Sequence, residues 1–160
     1  MKEIEVTQME EKKTITPDEF FRKIRPELEA GKAVLFTVSG SSMLPAVADG
    51  RDLAKAELCD LQKLRRLDVV VVRTDSGRYI MHRIIKLTEF GFCTCGDWCE
   101  KDDGFFRFDQ VVAQITEFRR RGKAINLESG FWRAVFALWV AAAPVRPAMK
   151  RLCGAVSKII

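Results

Sequence analysis

A serine-rich turn and a histidine are the residues of this sequence with the clearest capacity for chemistry. The turn reads Ser39-Gly40-Ser41-Ser42-Met43-Leu44-Pro45. His82, the single histidine of the chain, follows Ser42 by forty residues. Histidine is the side chain that titrates near neutral pH without special tuning, which is what a general base requires. The pair makes a serine hydrolase a candidate function.

The residues around Ser42 favour an exposed nucleophile on a rigid segment. Glycine at position 40 allows close approach of a backbone or a substrate, and Pro45 disfavours helical geometry at Leu44. Met43 offers an apolar surface for a substrate, although methionine is also a common core residue. We therefore expect four neighbours of Ser42 to contribute to substrate binding: Gly40, Ser41, Met43 and Pro45.

His82 lies in an apolar run with strand periodicity. Alternation places Ile80, His82 and Ile84 on one face of that strand. A histidine in such a position is often only a hydrogen-bonded core residue. The aspartates downstream, Asp97 and the pair Asp102-Asp103, favour a catalytic role, because a carboxylate fixes the histidine tautomer and stabilises imidazolium.

The elements that must position these residues are mostly strands. Five short runs rich in β-branched residues are separated by turn signals such as Asp75-Ser76-Gly77 and Arg121-Gly122. The predicted strands are Ala33–Val38, Leu67–Arg73, Tyr79–Leu87, Val111–Phe118 and Lys123–Leu127. We predict a mostly β fold, antiparallel, with one helix before it and an amphipathic or apolar helix after it.

A helix is predicted to begin at Thr16-Pro17, where threonine caps and proline suits the first helical position. Phe20, Ile24 and Leu28 fall on one face of this helix. Pro26 removes a backbone donor, which predicts a kink or two short helices before Gly31.

Length and composition predict one folded unit in three parts. A chain of 160 residues with 48% apolar and 31% charged residues has enough apolar content for a real core. The predicted parts are an N-terminal tail and helix (1–32), the β domain (33–127) and a C-terminal helical segment (128–160). The odd number of cysteines, with three in Cys93-x-Cys95-x3-Cys99, disfavours a disulfide framework and lacks the paired spacing of a zinc site. No metal or other cofactor is expected.

The two ends bear on localisation. The charged N-terminal segment has no apolar stretch, so it is neither a secretory signal nor an anchor. Near the other end, Ala134 to Val145 would form a helix of roughly 18 Å, too short for a hydrocarbon core of about 30 Å. Its aromatic residues and basic flanks indicate either a membrane-surface helix over residues 131–145 or a helix packed on the domain or a partner. We expect a cytoplasmic or peripherally membrane-associated protein.

The order of the motifs resembles that of the type I signal peptidases. The motifs are G-x-S-M-x-P at 40–45, L-x-x-x-D-V-V-V at 64–71, H-R-I-I at 82–85 and T-x-G-D-x4-D-D at 94–103. The match is to the Ser-His branch, found in archaea and the endoplasmic reticulum, which has histidine where the common bacterial enzymes have lysine. The resemblance covers roughly residues 34–116 and implies a signal-peptidase-like β domain.

The resemblance also implies roles for individual residues. Ser42 corresponds to the nucleophile, His82 to the general base, Asp103 to the orienting aspartate, and Asp97 to a second aspartate that supports the site. The implied reaction is hydrolysis of a peptide bond in a signal- or leader-type peptide through an acyl-enzyme. The expected partner is an extended peptide or precursor protein, bound beside a strand edge.

Three departures from the family pattern favour an alternative function. Many relatives have serine where this chain has Gly40, so an oxyanion-stabilising hydroxyl is missing unless Ser41 or Ser39 replaces it. Cys95 stands where the family has lysine, and the family's N-terminal anchor is not recognisable. A catalytically weak or inactive peptide-binding, membrane-associated module is therefore the alternative.

Two further alternatives are disfavoured. Lys86 lies four residues beyond His82, about 13 Å at strand rise, so it does not replace histidine as the base. The cluster Arg119-Arg120-Arg121 has no accompanying pattern of stacking aromatic residues, so nucleic-acid binding is not expected.

Overall fold

The computed structural model describes residues 16–147, and it has two α-helices and eight strands. The predicted N-terminal tail and Cys153 lie outside the described residues. The elements in chain order are α1 (Pro17–Glu29), β1 (Val34–Thr37), β2 (Leu53–Glu57), β3 (Val69–Arg73), β4 (Tyr79–Leu87), β5 (Phe92–Cys95), β6 (Phe105–Phe106), β7 (Val111–Arg120), β8 (Lys123–Asn126) and α2 (Gly130–Ala141). Short 3-10 turns lie at Leu61–Lys63, Phe108–Gln110 and Ala143–Val145.

The strands form one antiparallel sheet in the order β1-β2-β7-β3-β4-β5-β6, and β8 also pairs with β7. β7 is the long central strand. Along one of its edges it pairs with β3 and then with β8, and along the other it pairs with β2. The mostly β, antiparallel prediction is confirmed at this level.

β3 lies at the centre of two packed layers. Val69 and Val71 belong to the larger core, which also includes residues of α1 and α2, whereas Val70 and Val72 belong to a smaller core with Ile84 and Phe92. A continuous run of valines suits this position, because a strand covered on both faces buries every side chain.

Three of the eight strands, β2, β5 and β6, were not predicted from the sequence. The five predicted strands are present with ends shifted by a few residues, but β2, β5 and β6 were not predicted. β2 has the sequence LAKAE, and its two buried alanines give little apolar signal. β5 and β6 are only four and two residues long.

Helix α1 begins at the predicted residue and is one continuous helix. Thr16 Oγ1 accepts a hydrogen bond from the Glu19 amide at 3.2 Å, and Pro17 occupies the first turn. The prediction of two short helices is wrong, because one helix continues through Pro26 to Glu29. Pro26 lies one turn from the C-terminal end, where few backbone hydrogen bonds remain to be lost.

Helix α2 packs on the domain. Phe136 is buried and belongs to the larger core, Trp132 packs against that core, and Arg133 pairs with the buried carboxylate of Asp68. Of the two sequence interpretations, packing on the domain is the one seen for this face of the helix. Within residues 16–147, no helix is long and apolar enough to cross a membrane.

Candidate active site

Three side chains form a continuous hydrogen-bonded chain at the edge of the sheet. His82 Nε2 lies 2.9 Å from Ser42 Oγ, and His82 Nδ1 lies 2.6 Å from Asp103 Oδ2. The side chains of His82 and Asp103 are 10% and 20% exposed. This is the arrangement in which a carboxylate orients an imidazole and the imidazole accepts a proton from a hydroxyl.

Two elements bring the serine and the histidine together. His82 belongs to β4, paired with Val70 of β3, so its backbone is held by the sheet. Ser42 belongs to a turn between β1 and β2, with Leu44–Pro45 as a cis peptide. The predicted non-helical setting of Ser42 is thus present.

A buried aspartate lies at the far end of the turn between β1 and β2 that contains Ser42, called here the Ser42 turn. Asp52 is fully buried, accepts a hydrogen bond from the Ala48 amide and forms an ion pair with Arg51. Hydrogen bonds from the Arg51 guanidinium lower the pKa of Asp52 to about 2. The carboxylate is therefore charged at neutral pH and keeps the turn closed against the end of β1, where the Val38 amide bonds the Asp52 carbonyl.

Thr94 is a site residue that sequence reasoning missed. Its hydroxyl donates to Asp103 Oδ2 at 2.7 Å, and its carbonyl accepts from the Asp103 amide at 2.9 Å. Thr94 is fully buried in β5, so it fixes both the backbone and the carboxylate of Asp103. It is the threonine of the motif T-x-G-D-x4-D-D at 94–103, in which the sequence indicates no role for that residue.

Asp97 lies near the hydrogen-bonded chain, but its side chain pairs with Arg83 rather than with His82. Its carboxylate accepts two hydrogen bonds from Arg83, at 2.8 and 2.6 Å. Both side chains are 1% exposed, and Arg83 also donates to the Leu67 carbonyl. The ring of Phe136 lies 3.9 Å from the guanidinium carbon. The Arg83–Asp97 pair therefore links β4, at the residue next to His82, to the loop after β5.

We expect Arg83→Met to lower the free energy of unfolding by about 3–5 kcal/mol, because it leaves the Asp97 carboxylate buried without its cation. Urea denaturation followed by fluorescence measures the loss. Arg83→Met/Asp97→Leu, which removes both charges, should recover most of it.

The control for this prediction is the exposed pair Arg25–Glu29, with a nitrogen–oxygen distance of 2.8 Å. Arg25→Met should change stability by less than about 1 kcal/mol. Equal losses for Arg25→Met and Arg83→Met would contradict the expected contribution of burial.

The loop after β5 contacts the Ser42 turn directly. The Trp98 amide donates to the Ser42 carbonyl at 2.8 Å. A Cβ atom added to Gly96 would lie 2.7 Å from that carbonyl oxygen, 2.7 Å from Cys99 Sγ and 3.0 Å from His82 Nε2. Glycine is therefore required here by close packing against two residues of the hydrogen-bonded chain.

Helix α2 supports the other side of this loop. Trp139 Nε1 donates to the Asp97 carbonyl at 2.8 Å, and the Trp98 and Trp139 rings stack with centroids 6.1 Å apart. Arg146, beyond the helix, donates to the Cys99 carbonyl. No sequence signal linked α2 to this loop.

Cys95, the last residue of β5, is held by hydrogen bonds to the loop that follows. Its thiol donates to the carbonyls of Gly96 and Lys101, both at 3.4 Å. Burial raises the pKa of the Cys95 thiol to about 11, so the group is a neutral thiol at pH 7. It therefore does not act as a second nucleophile at that pH.

A small cavity opens beside Ser42 and His82, with a volume of about 140 Å³. Its lining residues are Val38, Ser39, Gly40, Ser42, Met43, Tyr79, Ile80, Met81 and His82. Two of the four predicted substrate-binding residues, Gly40 and Met43, thus line it, and Met43 is also part of the core. Ser41 is exposed on the turn, and Pro45 faces a different groove next to α2.

Comparisons of this chain with protein-family models, with curated proteins and with solved structures each give no match.

Proposed function

We propose that this protein is a serine endopeptidase that acts through an acyl-enzyme formed on Ser42. The observation that carries the proposal is the hydrogen-bonded chain Ser42–His82–Asp103, with distances of 2.9 and 2.6 Å. Hydroxyl, imidazole and carboxylate in this order are the groups that serine hydrolysis requires.

The proposed reaction has two halves. In the first, Ser42 Oγ attacks the carbonyl carbon of the substrate while its proton passes to His82 Nε2. The same nitrogen then protonates the leaving amine as the peptide bond breaks, and an ester remains on Ser42. In the second half, His82 Nε2 takes a proton from water, the hydroxide attacks the ester, and the released serine regains its proton. Asp103 stays ionised and stabilises the imidazolium.

An extended peptide is the substrate that fits the surroundings of Ser42. The first residues of β4, Tyr79–Met81, pair with β3 on one side, whereas the pairing of β4 with β5 begins at Arg83. β1 is the outer strand at the other end of the sheet order. The cavity lies between the end of β1 and this part of β4, so a peptide there has strand backbone with which to pair.

The size of the cavity favours a small side chain next to the scissile bond. A volume of about 140 Å³ is small for a ligand pocket, and the side chains of Val38, Met43 and Met81 occupy part of its wall. Together with the resemblance of the four motifs to type I signal peptidases, this supports a signal- or leader-type peptide as the substrate class. The signal-peptidase-like fold is part of the same proposal.

A peptide-binding module with little turnover is the second candidate, and it has a specific observation in its favour. Gly40 has no hydroxyl, and its amide donates to Asp49 Oδ1 at 2.9 Å. That amide is therefore engaged within the turn. The oxyanion would depend on the Ser42 amide and on the exposed Ser39 or Ser41 hydroxyls, and loss of one donor costs about 10²–10³ in rate in other enzymes.

The test is a panel of peptides with alanine, glycine, serine or bulky residues before the scissile bond, incubated with the purified protein and analysed by mass spectrometry. We expect cleavage after the small residues and none by Ser42→Ala. Binding of the same peptides by the wild type without any cleavage would overturn the peptidase and support the binding module. Cleavage retained by Ser42→Ala would overturn the assigned nucleophile.

The closeness of Gly96 to the site gives a prediction for Gly96→Ala. The added methyl group must displace the Ser42 carbonyl or the His82 ring, because it would lie 2.7 and 3.0 Å from them. A displacement of about 1 Å at reacting groups costs roughly 10²-fold, so we expect kcat/KM for peptide cleavage to fall by about that factor. Initial rates measure this fall.

Gly130→Ala is the matched control. Gly130 is the first residue of α2, and a Cβ atom added there would meet no heavy atom within 4 Å. It should leave kcat/KM unchanged. Wild-type rates for Gly96→Ala would contradict the requirement for close packing at the site.

A further inference from the structure

An apolar groove lies between the Ser42 turn and α2. Its volume is about 390 Å³, which is within the range of ligand-binding pockets. Its apolar lining includes Pro45 of the Ser42 turn and Leu138 of α2, and Leu138 is 73% exposed. Two charged residues, Asp97 and Arg120, also line it. The carboxylate of Asp97 is neutralised by its buried pair with Arg83, so Arg120 supplies the charge that a ligand in the groove would meet.

The hairpin of β7 and β8 places two cations at one end of this groove. Arg120 is exposed and donates to the Pro45 carbonyl at 3.0 Å. Lys123 pairs with Arg120 across the hairpin, so both side chains lie on the face that carries Ile125, another residue of the groove. Like charges directly opposite each other destabilise a strand pair. Arg120 and Lys123 form no ion pair within residues 16–147, unlike Arg119, so an anionic group of a ligand would relieve their repulsion.

The two segments that surround the reacting groups continue into the groove. Pro45 follows Ser42 by three residues, which limits the distance between their Cα atoms to about 11 Å. Asp97 follows Gly96, where an added Cβ atom would lie 2.7 Å from the Ser42 carbonyl oxygen. The small cavity is lined by residues between 38 and 43, whereas the groove begins beyond them on the same turn. A peptide with its scissile bond at Ser42 can therefore occupy both, one on each side of that bond.

We propose that the groove binds the part of the peptide substrate that follows the scissile bond, with apolar side chains in the groove and a carboxylate on Arg120 and Lys123. The preceding part is assigned to the small cavity, which favours a small side chain next to the scissile bond. At about 3.3 Å per residue of extended chain, the reach from Ser42 to Pro45 places the carboxylate about three residues after that bond. The inference rests on the proposed peptidase function, because it assigns two parts of one substrate.

The test uses peptides with alanine before the scissile bond that differ only in the three residues after it. The first two are leucines or serines, and the third is glutamate, glutamine or lysine. Binding to Ser42→Ala, which does not turn over, is measured by tryptophan emission, because Trp132 and Trp139 line the groove. Leu-Leu-Glu should bind about fivefold tighter than Leu-Leu-Gln and about tenfold tighter than Ser-Ser-Glu. The advantage of glutamate should shrink as salt rises from about 0.05 M to about 0.5 M.

A charge reversal tests the cationic end of the groove. In the Ser42→Ala background, Arg120→Glu/Lys123→Glu should prefer Leu-Leu-Lys to Leu-Leu-Glu. Such a reversal is a gain of binding, which a damaged fold does not produce. The matched control is Arg22→Glu/Lys86→Glu, which makes the same change in net charge at two exposed residues outside the groove. This control should keep the preference for glutamate.

A second pair of variants tests the apolar part. Leu138→Ser should weaken binding of Leu-Leu-Glu by about fivefold and leave Ser-Ser-Glu unchanged, because only the leucines lose an apolar contact. Phe131→Ser is the matched control, since Phe131 is 69% exposed on the same helix but does not line the groove. It should bind both peptides with wild-type affinity.

Three results would overturn the proposal. They are equal binding of the glutamate, glutamine and lysine peptides, an unchanged preference in Arg120→Glu/Lys123→Glu, and a dimer that Leu138→Ser dissociates in sedimentation velocity. The last would identify the groove as an interface between two copies of the chain.

Cleavage by the wild type separates this proposal from the peptidase itself. Cleavage after alanine that ignores the three following residues would overturn the groove assignment alone. Selective binding by Ser42→Ala without cleavage by the wild type would overturn the peptidase alone and support the groove as a binding site for apolar peptides with a carboxylate.

Discussion

Replacement of either Ser42 or His82 by alanine is expected to lower kcat/KM for peptide cleavage by about 10⁴-fold or more, as loss of a nucleophile or its base does in other serine hydrolases. Ser42→Ala removes the atom that forms the acyl-enzyme. His82→Ala removes the acceptor that lies 2.9 Å from that atom. Initial rates on the best peptide of the panel measure both effects.

The double variant Ser42→Ala/His82→Ala tests whether the two side chains act in one catalytic step. Because Ser42 and His82 act on the same proton, Ser42→Ala/His82→Ala should cost no more than either single change. Ser76→Ala, on the exposed turn between β3 and β4, is the matched serine control and should retain full activity. Additive losses in the double variant, or cleavage retained by both single variants, would show that the two side chains do not share one catalytic step.

Asp103→Asn is expected to lower kcat by about 10³–10⁴-fold without unfolding the protein, because a neutral amide does not stabilise imidazolium and favours the wrong tautomer of the ring. Asp103 Oδ2 accepts from both His82 and Thr94, so an amide nitrogen at that position would meet the Thr94 hydroxyl or the imidazole N–H. Single-turnover rates, together with thermal unfolding, separate the chemical effect from a loss of stability.

The neighbouring Asp102 provides the matched control. It is exposed, and its carboxylate accepts a hydrogen bond from the Gly104 amide within its own turn. Asp102→Asn should therefore change kcat by less than twofold, by the argument that surface changes away from the site have small effects. A similar loss for Asp102→Asn and Asp103→Asn would assign the effect to the charge of the loop rather than to the hydrogen bond with His82.

Sequence reasoning found the members of the hydrogen-bonded chain because each lies in a short, ordered motif. The serine-rich turn, the histidine in a strand and the aspartate pair are local patterns, and the sheet brings them together. The backbone hydrogen bonds of β3, β4 and β5 fix the distances, which no local pattern contains.

The supporting contacts were harder to predict, because they join parts of the chain that are distant in sequence. Trp139 and the Asp97 carbonyl are 42 residues apart, and Arg146 and the Cys99 carbonyl are 47 apart. The aromatic residues and basic flanks of the C-terminal segment left packing on the domain as one of two alternatives, and they did not indicate what the helix covers. Arg83 was identified only as the residue beside His82, and its buried pair with Asp97 depends on the pairing of β4 with β5.

The hydrogen bonds of the loop between β5 and β6 have a consequence for the smallest fragment that keeps the serine in place. Asp97 is bound by Trp139, and the next residue, Trp98, donates to the Ser42 carbonyl. Two hydrogen bonds, from Trp139 to the Asp97 carbonyl and from the Trp98 amide to the Ser42 carbonyl, therefore connect α2 to the residue proposed as the nucleophile. A fragment that stops after β8 would keep Ser42, His82 and Asp103 but lose the helix that supports the loop in contact with the Ser42 turn. For the proposed peptidase, we therefore expect the smallest active fragment to extend to Arg146, which donates to the Cys99 carbonyl of the same loop.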